Sequence, residues 1–527
     1  MKQHYLFYGL LIAMVVIGCK KNNTGISNTN PNSNGVGNKP KVPILSTTPQ
    51  LINFKINGAN CAYDSITNAY YYPVPIGASL STYTINFDTT AAKAILINNI
   101  RTKDGATVNY ELKTNQQVEI KALSSLNDVT TYNLIVTGLP IVTLSTNRTI
   151  QDADVKASFN LVDPDYQAQN SKLQISSNIN IAIRGATSRG YPKLSYAVHI
   201  VDAAGNDSNV SLLGLRNDNS WILDAMYIDR GRMRNRLCTD IWNSFNNVPY
   251  IANEPTALNG TRGYMSEVFL NNKYLGVYCL TEKLDRKQLQ IKKQYGNMYK
   301  ADNWTNETDF TGVSAFSNLS KTWGGWELAY PDLGDTPAPD WGYLYNEVNF
   351  IKTATDDDFT NQIKSRVDIN NMVDFLIFVN IIRGTDNDNK NTFFSFYDSR
   401  SANAFFYSPW DMDSTMGGNA AGIHTDNTII GTTDNYLLDR LLNLNVGNFK
   451  GLIKARWNVL KTNQLSKATV SARIEAYRKI LVNTNAFARE RSIWPGSVDP
   501  SLTDETSFMT NWYSLQYDLV DSYINGL

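Results

Sequence analysis

Histidine is scarce in this chain: 527 residues contain only His4, His199 and His424. They are far apart, and no His-x-x-x-His or Cys-x-x-Cys spacing occurs, which argues against a zinc site. No Gly-x-Ser-x-Gly elbow is present either, so a serine hydrolase would have to recruit His199 or His424 without its usual turn. Net charge is also missing, because 48 basic residues balance 48 acidic ones. No overall field draws the protein to nucleic acid, and nucleic acid is not an expected partner. Cysteine is sparse, with Cys61, Cys238 and Cys279 remaining after Cys19. An odd number implies no disulfide framework; a Cys238–Cys279 bridge and buried thiols both stay open. What the chain does hold is 42% hydrophobic and 11% aromatic residues, enough for sizeable cores, and a length that calls for two or three domains. It is also rich in carboxylates and amides, the hard oxygen ligands that suit magnesium or manganese.

The longest apolar run near the start, Tyr5 to Ile17, is short of the roughly 20 residues a membrane-spanning helix needs. Lys2 precedes it and "VIGC" ends it, giving a charged region, an apolar region and a small residue before Cys19. This resembles a bacterial lipoprotein signal, in which Cys19 is lipidated and becomes the mature N-terminus; an ordinary secretory peptide is the alternative. Residues 1–19 are read as that signal. Residues 20–44, rich in Asn, Gly, Pro and Ser, are read as a flexible tether. The expected location is the bacterial cell envelope, with membrane contact through a lipid anchor.

Residues 45–138 alternate polar and apolar positions between turn signals, as in "TYTINFD", "QVEIKAL" and "TYNLIVTG". Such spacing predicts a small β-sandwich, Ig-like in the broad sense. From 139 to 433 the pattern is mixed. "NINIAIRG" and "SYAVHIVD" read as strands, "RGRMRNRLCTDIWNSF" as a helix, and "SEVFL" with "YLGVYCL" as a hairpin turning at "NNK". Trp304 to Trp341 reads as an irregular, exposed surface segment, and "NNMVDFLIFVNIIRG" as a helix buried nearly all round. Residues 434–527 read as a helical supporting subdomain broken at "WPGSVDPS". The fold class is thus α+β.

The chemistry concentrates in "RGTDNDNKN" and "PWDMDS", at the two ends of a predicted hairpin. A buried helix enters a loop with Asp386 and, five positions on, Asn391; two strands follow, then Asp411 and Asp413. That is the order of parts in a protein-kinase catalytic centre, where a loop aspartate orients the acceptor hydroxyl and an asparagine and a later aspartate hold divalent metals. Asx residues also favour turns for their own sake, and alternating Asx resembles a calcium loop, although the glycine and glutamate of an EF-hand are missing.

Four blocks appear in order: "IRGATSRGYPKLSYAVHIVD", "LLGLRNDNSWILDAMYIDRGRMRNRLCTDIW", "EVFLNNKYLGVYCLTEKLDR" and "PWDMDSTMGG". Together they resemble the spore-coat protein H (CotH) kinase-like family across roughly residues 139–418. The resemblance implies an atypical, two-lobed protein-kinase-like domain. It also implies ATP with Mg or Mn as cofactor, and Ser or Thr of a partner protein as acceptor. It makes Asp386 the catalytic aspartate, with Asp388 its competitor, and Asn391, Asp411 and Asp413 the metal ligands. Lys193, Ser188, Arg234 and Glu282 fall at nucleotide-binding positions. Lys193 is followed by Leu194 where the family often carries a second lysine. An alternative reading is a catalytically inactive kinase-like module that binds envelope proteins or glycans, the exposed aromatics of Trp304–Trp341 serving sugars. Transfer of another group from a nucleotide would use the same metal constellation.

Overall fold

Alternation at the start of the ordered chain produces strands whose faces differ. In Gln117–Leu123, Val118, Ile120 and Ala122 are buried while Gln117 and Glu119 face outward. The computed structural model describes residues 48–333, 338–400 and 402–527, so the signal, Cys19 and the tether lie outside the described residues. One sheet of this region runs in the order Ala59–Asn60, Gln50–Ile56, Tyr83–Thr90, Thr107–Val108. A second, six-stranded sheet contains Ala69–Pro73, Val129–Thr137, Gln117–Leu123 and Ala94–Ile97 at its centre. Leu51, Phe54 and Ile85 from the first share one core with Ile120, Leu134 and Val136 from the second.

Seven strands then close into a barrel, in the order Ile141–Ser145, Val155–Val162, Gln174–Arg184, Ser195–Val201, Ser220–Asp224, Lys273–Glu282, Gly263–Leu270. The last pairs in parallel with the first, which leaves the sheet no open edge. Leu144, Phe159, Ile181, Val198, Leu223 and Leu280 belong to its packed core. The hairpin expected at "NNK" is present. Asn271 and Asn272 take φ of 50° and 59°, the left-handed pair of a two-residue hairpin loop, with Leu270 opposite Lys273.

Beyond the barrel, a five-stranded sheet runs Thr322–Trp323, Trp326–Tyr330, Asn297–Ala301, Thr392–Asp398, Ala402–Pro409. The helix Ile369–Ile382 packs near it; Asp368 caps its start by accepting from Asn371 N at 2.7 Å, and every residue from Asn371 to Ile382 is buried. Its neighbours include the helices Phe449–Leu460 and Leu502–Gly526. The C-terminal stretch is helical and breaks between Ile493 and Leu502. Yet Trp457, Met509 and Tyr513 enter the same core as Leu237, Phe375 and Phe394, so these helices build that core rather than one of their own.

One expectation changes in the structure. Trp304 to Trp341 does run along the surface between 315 and 322, but Trp323, Trp326 and Trp341 are buried, and two short strands join the sheet. Trp304 and Phe316 remain exposed, at 58% and 37%. The apolar area of three indoles outweighed the turn-rich local composition, because burying such rings gains more than loop polarity costs. Three of the four tryptophans invoked for sugars are therefore core residues. The cysteine question is also resolved: Cys61, Cys238 and Cys279 are free, buried thiols. Among the described residues, no helix is long and apolar enough to cross a membrane.

Candidate active site

The helix Ile369–Ile382 ends because Arg383 turns left-handed at φ 52°, and Gly384 N closes the turn on the Val379 carbonyl at 2.8 Å. The chain enters the Asx loop there. Asn387 is fully buried and works as a strut, its amide donating to Trp410 O at 2.8 Å and to Asn391 O at 3.4 Å. Trp410 N donates to Asn391 O at 2.9 Å, and Asn391 N to Ala301 O at 2.9 Å. The two ends of the hairpin are thereby tied together, which sets Asp386 and Asn391 beside the residues that follow Trp410. Asn391 donates its side-chain amide to Asp386 Oδ2 at 2.7 Å, and Lys390 Nζ lies 3.4 Å from Asp386 Oδ1.

Asp386 and Asp388 differ in surroundings. Burial raises the Asp386 pKa, opposed by Lys390 and the Asn391 amide. Asp388 is held from the other side, its backbone carbonyl accepting from Asn435 Nδ2 at 2.7 Å. Burial, then the charge of Asp434, pushes its pKa up to about 7. Of the two, Asp386 is the one whose charge acts on Asp411.

Asp411 sits at φ 58°, a left-handed position that aspartate tolerates better than most residues. Its residue surface is exposed, yet it lies in a recess walled by protein. That desolvation raises its pKa, as does Asp224, while Arg184 and Lys300 oppose the rise. Asp413 is raised well above the usual range by burial, then by Asp411, Asp224 and Asp229. The recess encloses about 30 Å³ of space that water could fill; Arg184, Asp224, Asn235, Trp410 and Asp411 are among its walls. Asn235 bridges two of its parts, donating to Asp224 Oδ2 at 2.9 Å and accepting from Met412 N at 3.1 Å.

The loop "RGATSRGY" flanks these carboxylates. Gly185 takes φ 108°, and a Cβ there would meet Ser188 Oγ at 1.8 Å, so this turn requires glycine. Arg184 lies 5.6 Å from the Trp410 ring centroid, and Asp413 and Asp411 act on Tyr191 at the loop's far end. Ser188 is half-buried on the short turn between them.

Three residues expected at the nucleotide are enclosed instead. Lys193 has no side-chain exposure; its ammonium donates to Val277 O and to Glu490 Oε1 at 2.8 Å. Burial lowers its pKa to about 8, against the pull of Glu490. Glu282 does end its strand, but it is fully buried and accepts from Arg262, Gln288 and the Arg216 backbone. Arg234 is buried between Asp229 and Glu505, each at 2.6 Å, and donates to Thr415 O at 3.0 Å. It braces the turn carrying Asp413 rather than opening to the recess. The apolar interior around the barrel seals such groups, and ion pairing makes their burial tolerable.

Asp224, Arg184 and Lys300 were not singled out from sequence. Asp224 had a readable signal, a carboxylate ending the apolar strand "SWILD". Arg184 had one too, a cation immediately before the glycine turn.

Among the described residues, no three His, Cys, Asp or Glu side chains gather as a ready-made metal cage. The donor set nonetheless fits a hard divalent cation. Asp224 and Asp411 both raise the pKa of Asp413, and positive charge between these oxygens would relieve that repulsion. Asn391 supplies an amide of the same hard class.

Comparison with known proteins agrees with this picture at the level of family. A family profile described as CotH kinase protein matches residues 181–519, which takes in the barrel's later strands, the Asx loop, the hairpin and most of the C-terminal helices. The chain belongs to that family. No curated protein matches it.

Proposed function

We propose that the protein is an envelope-anchored atypical kinase that transfers phosphate from ATP, with Mg or Mn, to Ser or Thr of a partner protein. The observation that carries this reading is the pairing of Asp386 with Asn391 beside Asp411, at the joined ends of one hairpin. On this reading the barrel forms one lobe and the helix-rich core the other, with the recess between them. The sheets before the barrel then serve as an Ig-like spacer.

Asn391, Asp411 and Asp413 would hold the metal, with Asp224 close by. Bound there, divalent cations supply the positive charge that offsets a triphosphate. Arg184 lines the same recess, and it and the Gly185–Gly190 turn that follows it suit anionic groups. Asp386 orients the acceptor hydroxyl and takes up its proton, a task its raised pKa favours. With Lys193 sealed against Glu490, Arg184 and Lys300 are the cations acting on Asp411.

A thermal-shift titration of the folded chain with ATP and Mn or Mg tests the reading, because a ligand of the native state raises apparent stability. A rise in Tm of several degrees is expected only with both together. No shift at millimolar nucleotide would instead support the inactive binding module.

The anchor is a separate part of the proposal. Cys19→Ala is expected to abolish acylation and to move the protein out of the membrane fraction. Unchanged fractionation would refute it.

A further inference from the structure

The Asx loop carries a second unusual feature. Three successive residues each bury an oxygen that no donor among the described residues meets: Asn387 Oδ1, Asp388 Oδ2 and Asn389 Oδ1. Their parent residues are 0%, 4% and 5% exposed. The amide orientation of Asn387 is fixed, since its nitrogen donates to two carbonyls. One oxygen of Asp388 already accepts from Asn389 N at 2.9 Å, which leaves the other free. Buried acceptors are normally paired, so three in a row within one short loop call for a ligand.

Asp434 stands beside them. Asn435, its neighbour, donates to Asp388 O at 2.7 Å and caps the helix Tyr436–Asn443 with the same side chain. That bond fastens the loop to the helix start and brings two carboxylates together. Asp434 is exposed, so the cluster has a route to solvent. The charges acting on Asp388 are those of Asp434 and Asp386, both negative. Water would meet the lone pairs and leave that repulsion untouched. A cation answers both.

We propose that Asn387, Asp388, Asn389 and Asp434 form a structural site for a hard divalent cation of the calcium class, separate from the Asp411 site. All the donors are oxygen, two from amides and two from carboxylates. Calcium accepts such mixed oxygen sets in flexible geometry, whereas magnesium demands a near-ideal octahedron. Three of its four residues lie between Asp386 and Asn391 in sequence, so a bound ion would stiffen the segment that sets both. The proposal does not depend on the kinase reading.

Calcium chloride, titrated into the purified full chain while melting is followed, provides the test. A calcium-dependent rise in Tm is expected in the parent and also in Asp411→Asn, where the other site is impaired. Asp434→Ala changes an exposed residue and leaves the core intact; it should weaken calcium binding by roughly tenfold or more. Asp388→Asn should do the same. The proposal is overturned by the absence of any calcium-dependent shift. It is equally overturned if the shift survives both variants, or if Asp411→Asn alone removes it, which would place the ion at the other site.

Discussion

Asp411→Asn is expected to remove metal-dependent nucleotide binding, lowering affinity by more than about 100-fold, beyond the range seen for outer-shell partners of a metal. The reason is that Asp411 acts before any chemistry. It lies in the recess within electrostatic reach of Asp224, Asp386 and Asp413, and a cation there is held in the ground state. Asparagine is the informative substitution. Residue 411 sits at φ 58°, where asparagine is comfortable, while alanine adds left-handed strain of roughly 1–2 kcal/mol and confuses the result. Calorimetry with ATP and Mn on the folded variant measures the effect. An affinity equal to the parent's would mean that Asp411 holds no metal, and the stretch would reduce to turn chemistry.

How far the sequence foretold the site depended on whether each signal was local. The helix Ile369–Ile382 was readable because apolar residues filled every face, and the hairpin because two aromatic runs flanked a polar turn. Asp386, Asn391 and Asp411 followed from that order of parts. Closure of the barrel was not readable, since it depends on a parallel pairing between Ile141–Ser145 and Gly263–Leu270, more than a hundred residues apart. The same distance hid the fate of Lys193. Glu490 belongs to a helix near the far end of the chain, and nothing near Lys193 announces that partner. The resemblance of the sequence blocks implied a phosphate-facing lysine at that position, whereas the fold encloses it. Trp323, Trp326 and Trp341 misled for a related reason: glycine and proline around them read as surface, and only packing shows the rings inside. Asn235 shows the middle case. Its place on the helix Arg234–Asn243 was legible, but its bridge from Asp224 to Met412 joins segments that only tertiary structure brings together.

The sharpest separation of roles is expected at the other end of the hairpin. Asp386→Asn should keep metal and nucleotide binding close to the parent's while phosphate transfer falls by roughly 10²–10⁴-fold, the usual scale for a positioned acid or base. Two features support this division. An asparagine at 386 still offers an oxygen to Asn391 Nδ2, so the 2.7 Å bond that sets the loop can persist. What it loses is the carboxylate able to take a proton from the acceptor hydroxyl. Its rival Asp388 is tied through its backbone to Asn435 and feels the charge of Asp434. Nucleotide affinity by calorimetry and transfer from labelled ATP, measured on the same folded preparations, read the two effects apart. If Asp386→Asn retained transfer while Asp388→Asn lost it with binding intact, Asp388 would be the base, and the loop would have to turn over when the acceptor binds.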